Sequence, residues 1–315
     1  MRRSRIADLS LLSVAMMWGC TFLIIQHAVF ALPPLLFNAI RFIGSAIVLV
    51  IIIAIFYRKQ VRHLSPRLMM DGLLLGLVLF AGYATQTVGL LYTTTSNAGF
   101  ITGLSVVLVP FLSKLILRTQ LNKLIWISTI LAAAGLYLMT FHHGAISLNK
   151  GDILILLCAV AFALHIVLMG VISPRHEALP LATMQLGATG LFSLAASLLF
   201  EHTPLVQPLS QTLLRPDVLY ALLISIGPTS AFAFWVQTAM QRYTTPARVA
   251  VIFTMEPVFA ALTGVIFAGE ALGLLGIVGC IAIFTGMILT ELRPVATTVE
   301  ESLPLPIPQI DSRIP

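Results

Sequence analysis

Three ionisable side chains lie inside long apolar stretches of this sequence: Arg41, His165 and Glu256. An ionisable group surrounded by hydrocarbon costs about 3 kcal/mol or more unless it is paired or faces water, so each one needs a physical reason. A carboxyl group that is shielded from water can exchange a proton near neutral pH, or it can bind an amine. Glu256 is therefore a candidate for proton coupling or for binding a cationic substrate group. The alternative is a structural carboxyl that bonds to neighbouring helices.

The neighbours and depths of these residues refine that interpretation. Pro257 follows Glu256, and a proline disfavours helical backbone at the residue before it, so we expect a local break there. By helical rise Arg41 lies about 12 Å and Glu256 about 18 Å below one membrane face, a difference that an arginine side chain can bridge. Arg41 is a candidate clamp for a substrate carboxylate, although a structural partner of helix ends or of an acid is favoured. His165 is interpreted as a hydrogen-bonded packing residue in preference to a proton carrier.

Polar residues at helical spacing mark two further faces. Ser230, Phe234 and Gln237 recur at intervals of three and four residues, and Tyr83 and Gln86 do so in another segment. These faces are expected to line a cavity, with Gln86 and Gln237 as gate residues near opposite membrane faces. The alternative is hydrogen bonding between helices that serves packing alone. The full set of candidate substrate-binding or coupling residues is Glu256, Arg41, His165, Trp18, Tyr83, Gln86, Asn97, Gln185 and Gln237.

The elements that position these residues must cross a membrane. Of the 315 residues 58% are hydrophobic and 10% are charged, with a mean hydropathy of +1.00, whereas a soluble domain carries about 25% charged residues. This composition excludes a water-soluble fold. Apolar runs of about 20 residues predict transmembrane helices, since the strands of a membrane barrel alternate apolar and polar residues. Ten spans are expected, at residues 8–29, 33–57, 68–91, 94–117, 122–141, 150–171, 179–200, 217–240, 246–268 and 271–292.

The charges predict the orientation of these spans. The net charge of +6 and the pI near 9.5 come from Lys and Arg in short loops, with no basic patch interleaved with aromatics, so no nucleic-acid partner is expected. With the N-terminus inside, fifteen of the eighteen Lys and Arg fall in inner segments, two fall in outer loops, and Arg41 lies in a helix. Positive loops face the cytoplasm, so both termini are predicted to be cytoplasmic. The three cysteines lie in apolar runs, which predicts neither disulfides nor a metal site.

An internal repeat organises the chain. With one constant offset of 151 residues, the third to fifth spans align with the eighth to tenth, pairing Gln86 with Gln237 and Gly135 with Gly286. Each half has five spans, an odd number, so the second half must enter the membrane the opposite way up. The predicted fold is therefore an all-α polytopic membrane protein with two inverted five-helix repeats, residues 1–145 and 146–292, and a disordered cytoplasmic tail, residues 293–315. Inverted repeats are typical of secondary transporters.

The chain resembles the EamA-type carriers of the drug/metabolite transporter superfamily. The resemblance rests on Trp18-Gly19, Arg41-Phe42, the stretch from Gly89 to Phe100, Glu256-Pro257 and Gly269-Glu270. The sequence departs from the family pattern at one place: Thr119-Gln120 occupies the position in the first half that corresponds to Gly269-Glu270 in the second half. The resemblance implies ten helices in two halves and the export of amino acids, amines or drugs, here across a bacterial inner membrane. It also implies a cavity lined by the first, third, fourth, sixth, eighth and ninth spans.

Other functions have less support in the sequence. It contains no His-Glu-x-x-His, Gly-x-Ser-x-Gly or Gly-x-x-x-x-Gly-Lys-Ser/Thr motif, so neither an enzyme nor an ATP-driven pump is expected. A carrier of phosphorylated substrates would need several intramembrane cations, and Arg41 is the one available. A non-transporting receptor or scaffold is the alternative left open. The predicted partners are a small-molecule substrate, a proton as coupling ion and membrane lipids, with a homodimer left open and no cofactor expected.

Overall fold

The structure is a computed structural model that describes residues 2–58, 65–93, 95–118, 120–140, 149–201, 208–268 and 273–291. All regular secondary structure in these ranges is helical. The α-helices are α1 (Arg2–Ala31), α2 (Pro34–Phe56), α3 (Pro66–Gly89), α4 (Thr95–Gly103), α5 (Ser105–Leu117), α6 (Lys123–Thr140), α7 (Lys150–Ile172), α8 (Ala178–Phe200), α9 (Leu209–Leu213), α10 (Pro216–Ile226), α11 (Ala233–Met240), α12 (Pro246–Phe253), α13 (Met255–Ala268) and α14 (Leu274–Glu291). A π-helical turn, Gly227–Phe232, joins α10 to α11, and 3₁₀ turns occupy Ser173–Arg175 and Gln241–Tyr243.

The helices are those of a multi-pass membrane protein. Seven helical segments in the described ranges are long and apolar enough to cross a bilayer: Pro34–Phe56, Pro66–Gly89, Ala98–Leu117, Lys150–Arg175, Ala178–Phe200, Pro216–Tyr243 and Pro246–Ile266. Two shorter apolar helices are Lys123–Met139 and Leu274–Thr290, and α1 runs for 30 residues. A helix is present at each of the ten predicted positions, while the count of ten membrane crossings stays a prediction.

Proline and capping residues set where several helices begin. Pro34, Pro66, Pro216 and Pro246 each occupy the first helical position, where the missing N–H has no intrahelical partner to lose. At the start of α7 the Asn149 side chain accepts from the backbone of Asp152, and the Asp152 side chain accepts from the backbone of Asn149. These signals lie in the sequence, and they place the helix starts within a few residues of the predicted ones.

Three predicted spans are interrupted in the structure. The span 94–117 divides into α4 and α5 at Leu104, and the span 246–268 divides into α12 and α13 at Thr254. The break expected at Glu256 therefore lies two residues earlier, and Glu256 falls in the first turn of α13. The span 217–240 contains the π-helical turn. Pro228 has no N–H for the Ile224 carbonyl, which the Thr229 hydroxyl approaches instead at 3.3 Å.

Glycines bring pairs of helices into close contact. A Cβ atom on Gly135 of α6 would lie 2.6 Å from the Gly279 carbonyl oxygen of α14, and one on Gly286 of α14 would lie 2.9 Å from the Ser128 carbonyl oxygen of α6. Adding the offset of 151 residues to Gly135 and Ser128 gives Gly286 and Gly279. The two contacts are therefore equivalent, with the roles of α6 and α14 exchanged. Close backbone approach through small residues is the usual mode of helix packing in membranes.

Two sequence predictions lie outside the described residues. These are the tail of residues 293–315 and the Gly269-Glu270 pair.

Candidate functional site

Arg41 lies in the interior of the bundle, where α2 meets the π-helical turn. Its side chain is buried, and its Nε donates a 2.6 Å hydrogen bond to the Ser230 hydroxyl. The guanidinium carbon is 4.9 Å from the ring centroids of both Phe42 and Tyr83. These ring faces attract the cation electrostatically, and such contacts strengthen when they are desolvated. A buried charge in the membrane interior is thus compensated by one hydroxyl and two rings.

An aromatic cluster surrounds this arginine. The Tyr83 ring lies 4.8 Å from Phe42, 5.1 Å from Phe162 and 6.3 Å from Phe234. Trp18 joins the cluster through Phe234 at 5.6 Å and Phe253 at 5.1 Å. We call these six residues, Trp18, Phe42, Tyr83, Phe162, Phe234 and Phe253, the aromatic cluster. It draws on α1, α2, α3, α7, α11 and α12, and so combines both halves of the chain.

The π-helical turn supplies backbone acceptors to the same region. The Ala233 N–H bonds to the carbonyls of Pro228 and Ser230, and so skips the Thr229 carbonyl that an α-helix would use. The indole N–H of Trp18 donates to that carbonyl oxygen at 2.8 Å. The Ser45 hydroxyl likewise donates to the Ile226 carbonyl at 2.9 Å. The turn is therefore tied to α1 and α2 by side chains, which fixes Ser230 beside Arg41.

Glu256 lies in the first turn of α13, within electrostatic range of Arg41. Its carboxylate is partly buried and interacts electrostatically with Arg41, Tyr83 and Cys158. Arg41 and Glu256, both within the described ranges, form no ion pair at 4.0 Å or less. Behind Glu256, Gly19 of α1 touches its carbonyl oxygen so closely that a Cβ atom would not fit. Two opposite charges thus face one interior region without being joined.

His165 and Gln185 form a separate hydrogen-bonded chain. The His165 Nε2 is 2.9 Å from the Gln185 Oε1, and the Gln185 Nε2 donates to the Thr238 hydroxyl at 3.0 Å. All three side chains are buried. His165 reaches the aromatic cluster only by the edge of its ring, 6.3 Å from Phe234. His165 and Gln185 are thus hydrogen-bonded between helices, an arrangement consistent with packing, and their roles stay predictions.

The remaining candidates do not converge on Arg41. The Gln86 Nε2 donates to the Thr102 hydroxyl at 3.5 Å, and the Gln237 Nε2 donates to the Gln241 Oε1 at 3.4 Å. The Gln237 Oε1 is buried and has no partner among the described residues. The side chain of Asn97 lies outside the described residues. The structure therefore brings together Arg41, Trp18, Tyr83 and Glu256, and the hydrogen bonds described above for the candidates His165, Gln86, Gln185 and Gln237 are separate from these contacts.

Two buried aspartates tie the ends of the bundle together. At the end where α1 begins, Arg248 Nη2 lies 2.8 Å from Asp8 Oδ2, with side chains 6% and 5% exposed. At the opposite end, the Thr93 hydroxyl donates to Asp152 Oδ1 at 2.5 Å. Asp8 and Asp152 occupy equivalent positions in the repeat predicted from the sequence, at an offset of 144 residues. One end is therefore closed by a buried ion pair and the other by a hydrogen bond.

The sequence did not indicate the roles of several residues at the site. Ser230 was assigned to a polar face but not to Arg41, and the phenylalanines of the aromatic cluster have no signal that separates them from other apolar residues. Arg248 is one of the fifteen inner charges used to predict the orientation, whereas the structure buries its side chain in the first turn of α12. No group of three His, Cys, Asp or Glu that could hold a metal ion occurs in the described part of the chain.

Comparison with known proteins identifies the family. The model of the EamA-like transporter family matches twice, over residues 5–141 and 149–292. An uncharacterized transporter of Archaeoglobus fulgidus is 33% identical over 287 residues, covering 91% of this chain and 86% of its own length. The uncharacterized transporter YoaV of Bacillus subtilis is 25% identical, covering 89% of this chain and 95% of its own.

Two further similarities agree with this result. The uncharacterized inner membrane transporter YedA of Escherichia coli is 26% identical over 270 residues, covering 84% of this chain and 83% of its own. A solved crystal structure with 20% identity shares the fold with a TM-score of 0.74, covering 91% of this chain and 97% of that one. Family match and relatives extend over nearly the whole chain, and the chain belongs to the EamA-like transporter family.

Proposed function

We propose that this chain is a secondary active transporter that exports a small metabolite or drug across the bacterial inner membrane by alternating access. The observation that carries the proposal is that Arg41, held against the aromatic cluster, interacts electrostatically with Glu256 without forming an ion pair at 4.0 Å or less. Opposite charges that are held apart in a poorly solvated region are each available to a substrate group or to a proton.

The repeat supports alternating access. The family model matches each half of the chain separately, and the reciprocal glycine contacts of α6 and α14 follow the offset predicted from the sequence. The equivalent aspartates close opposite ends of the bundle. Both contacts are present in this structure, so opening towards either side would require release of the contact at that end.

The chemistry of the region favours an amino acid, an amine or a similar small molecule as substrate. Glu256 can receive an ammonium group, Arg41 can receive a carboxylate through its guanidinium, and the rings can contact an apolar side chain. Glu256 can also bind a proton, and competition between a proton and a cationic substrate for one carboxylate would couple export to the proton gradient. The excess of Lys and Arg in segments on the side of the N-terminus supports cytoplasmic termini.

The test is transport by proteoliposomes that carry the purified chain with Glu256→Gln. This change keeps the size of the side chain and removes its ability to exchange a proton. We expect a folded, inserted protein whose transport of amines or amino acids is lost, or no longer varies with pH between about pH 5.5 and 8. Asp217→Asn is the matched control, because Asp217 is an exposed acid in a pair with Arg215. Normal pH-dependent transport by Glu256→Gln would refute the proton role.

Variants of Arg41 distinguish a role in transport from a purely structural role. If Arg41 and Glu256 serve mainly to balance each other's charge, then Arg41→Gln should misfold alone and recover when combined with Glu256→Gln. If Arg41 binds substrate, then the single variant should fold and lose substrate binding. The alternative function, a non-transporting receptor or scaffold, would be supported if liposomes carrying the parent chain moved no candidate solute while the chain bound a protein partner.

A further inference from the structure

A cavity lies away from the aromatic cluster, at the end of the bundle where α1 begins. It has a volume of 460 Å³ and is bordered by the start of α3, the connection between α7 and α8, and the end of α11. Its charged lining comprises Arg67, Arg175 and Arg242 against Glu177 alone. A cavity of this size matches small-ligand sites, which occupy about 300–1,000 Å³.

The arginines of this cavity keep their charge available. His176 Nε2 lies 2.6 Å from Asp71 Oδ2, so the nearby acid is engaged by the histidine. Arg242 Nη2 donates to the His176 carbonyl oxygen at 2.8 Å, which holds that guanidinium at the cavity wall through a neutral acceptor. Arg67 and Arg175 are exposed and form no ion pair with any residue that the structure describes. Three cations therefore converge on one space with little compensation.

Two helix N-termini add to the positive potential. The 24-residue α3 begins at Pro66 and the 23-residue α8 begins at Ala178, and the residues that precede both helices, Ser65 and Glu177, line the cavity. Glu177 makes no side-chain hydrogen bond to the first turn of α8. At α3 the Ser65 hydroxyl already accepts from the Leu68 N–H, so this helix contributes through the positive end of its dipole. The start of α8 has no side-chain cap and can also offer N–H groups to an anion.

We propose that this cavity is a binding site for a phosphate-class anion, either the headgroup of an anionic phospholipid or a soluble phosphate. Arginine forks match the oxygens of a phosphate in two-pronged hydrogen bonds. Basic pockets between membrane helices are known to take phospholipid headgroups on the side that positive loops mark as cytoplasmic. An anion in this site would join α3 of the first half to α8 and α11 of the second half. Its binding would therefore stabilise the conformation in which these elements are together.

The experiment measures the thermal unfolding of the purified full-length chain in a neutral detergent. One arm adds inorganic phosphate, with chloride at the same ionic strength as reference. The other arm adds a short-chain phosphatidylglycerol, with the matching phosphatidylcholine as reference. Anions that bind the native state raise the unfolding midpoint in proportion to the logarithm of their concentration.

We expect a rise with phosphate, with phosphatidylglycerol or with both, and an apparent affinity about tenfold or more weaker in the Arg67→Gln, Arg175→Gln double variant. Both side chains are exposed, so this variant keeps the fold. Arg215→Gln, which removes a cation elsewhere in the chain, is the control and should respond as the parent does. A rise with phosphatidylglycerol alone assigns the site to a lipid headgroup, and a rise with phosphate assigns it to a soluble anion. No rise in either arm, or an equal rise in the double variant, overturns the proposal.

Discussion

The buried ion pair between Asp8 and Arg248 makes one end of the bundle sensitive to a single substitution. The charged atoms are 2.8 Å apart and the side chains are nearly inaccessible to water. Asp8→Asn removes the carboxylate that pairs with Arg248, and removing one partner of a buried pair costs about 3–5 kcal/mol. Because the pair joins α1 to α12, this cost falls on the conformation in which that end is closed.

The rate at which the Cys158 thiol of α7 is chemically labelled can report the opening of the interior. It is fully buried, contacts Thr102 and interacts with Glu256. In a background with Cys20→Ser and Cys280→Ser, a water-soluble thiol reagent should label it only when the bundle opens. A cost of about 3–5 kcal/mol corresponds to a factor of about 100 or more, at about 1.4 kcal/mol for each tenfold change. Asp8→Asn should therefore raise the labelling rate of Cys158 in detergent by about a hundredfold or more, and it should lower the unfolding midpoint.

Two comparisons test the reasoning. Asp217 and Arg215 form a pair at 2.7 Å with side chains 49% exposed, so Asp217→Asn should leave the labelling rate unchanged. Arg248→Gln added to Asp8→Asn removes the buried charge and should restore part of the stability. A labelling rate in Asp8→Asn equal to that of the parent, or a change just as large in Asp217→Asn, would show that the ion pair does not close this end.

Three further predictions concern the thermal unfolding midpoint of the purified chain in detergent. Gly135→Ala should lower it, because overpacking against Gly279 costs about 1–3 kcal/mol, while Gly99→Ala, with no atom within 4 Å, should not. Trp18→Phe should cost about 1–3 kcal/mol, because it leaves the buried Thr229 carbonyl without a donor; an unchanged midpoint would contradict this. Glu201→Gln should weaken the cap on α2, whose Leu35 and Leu36 N–H groups bond to its two oxygens, and equal stability would argue against such a cap.

Hydropathy and charge predict most of the fold because they report on the solvent that each residue meets. Apolar runs locate the helices to within a few residues, and proline at helix starts sharpens several of these positions. The interruptions are harder to predict. The break at Thr254 and the π-helical turn depend on which carbonyls find side-chain donors on other helices, and that information is not local.

The charged residues of the candidate site could be predicted from the sequence, and the aromatic cluster around Arg41 could not. Arg41 and Glu256 stand out because charge is rare in a membrane interior, and the structure places them within electrostatic reach. The six rings of the aromatic cluster come from elements far apart in the chain, and a phenylalanine in an apolar run carries no mark of its contacts. The same argument applies to Asp8 and Arg248, which lie near the starts of α1 and α12 and whose pairing the sequence does not indicate.

The π-helical turn at Gly227–Phe232 sets the angular position of everything that follows it in the helix. An i→i+5 ring encloses one residue more than an i→i+4 ring, and each residue advances an α-helix by about 100°. If the same residues instead formed a regular α-helix, α11 would be rotated by roughly that angle. Phe234 would leave the aromatic cluster and Gln237 would leave its buried position, with every side chain in α11 still present. The hydrogen-bonding pattern of one turn can therefore decide which residues of α11 face the interior as effectively as substitutions do.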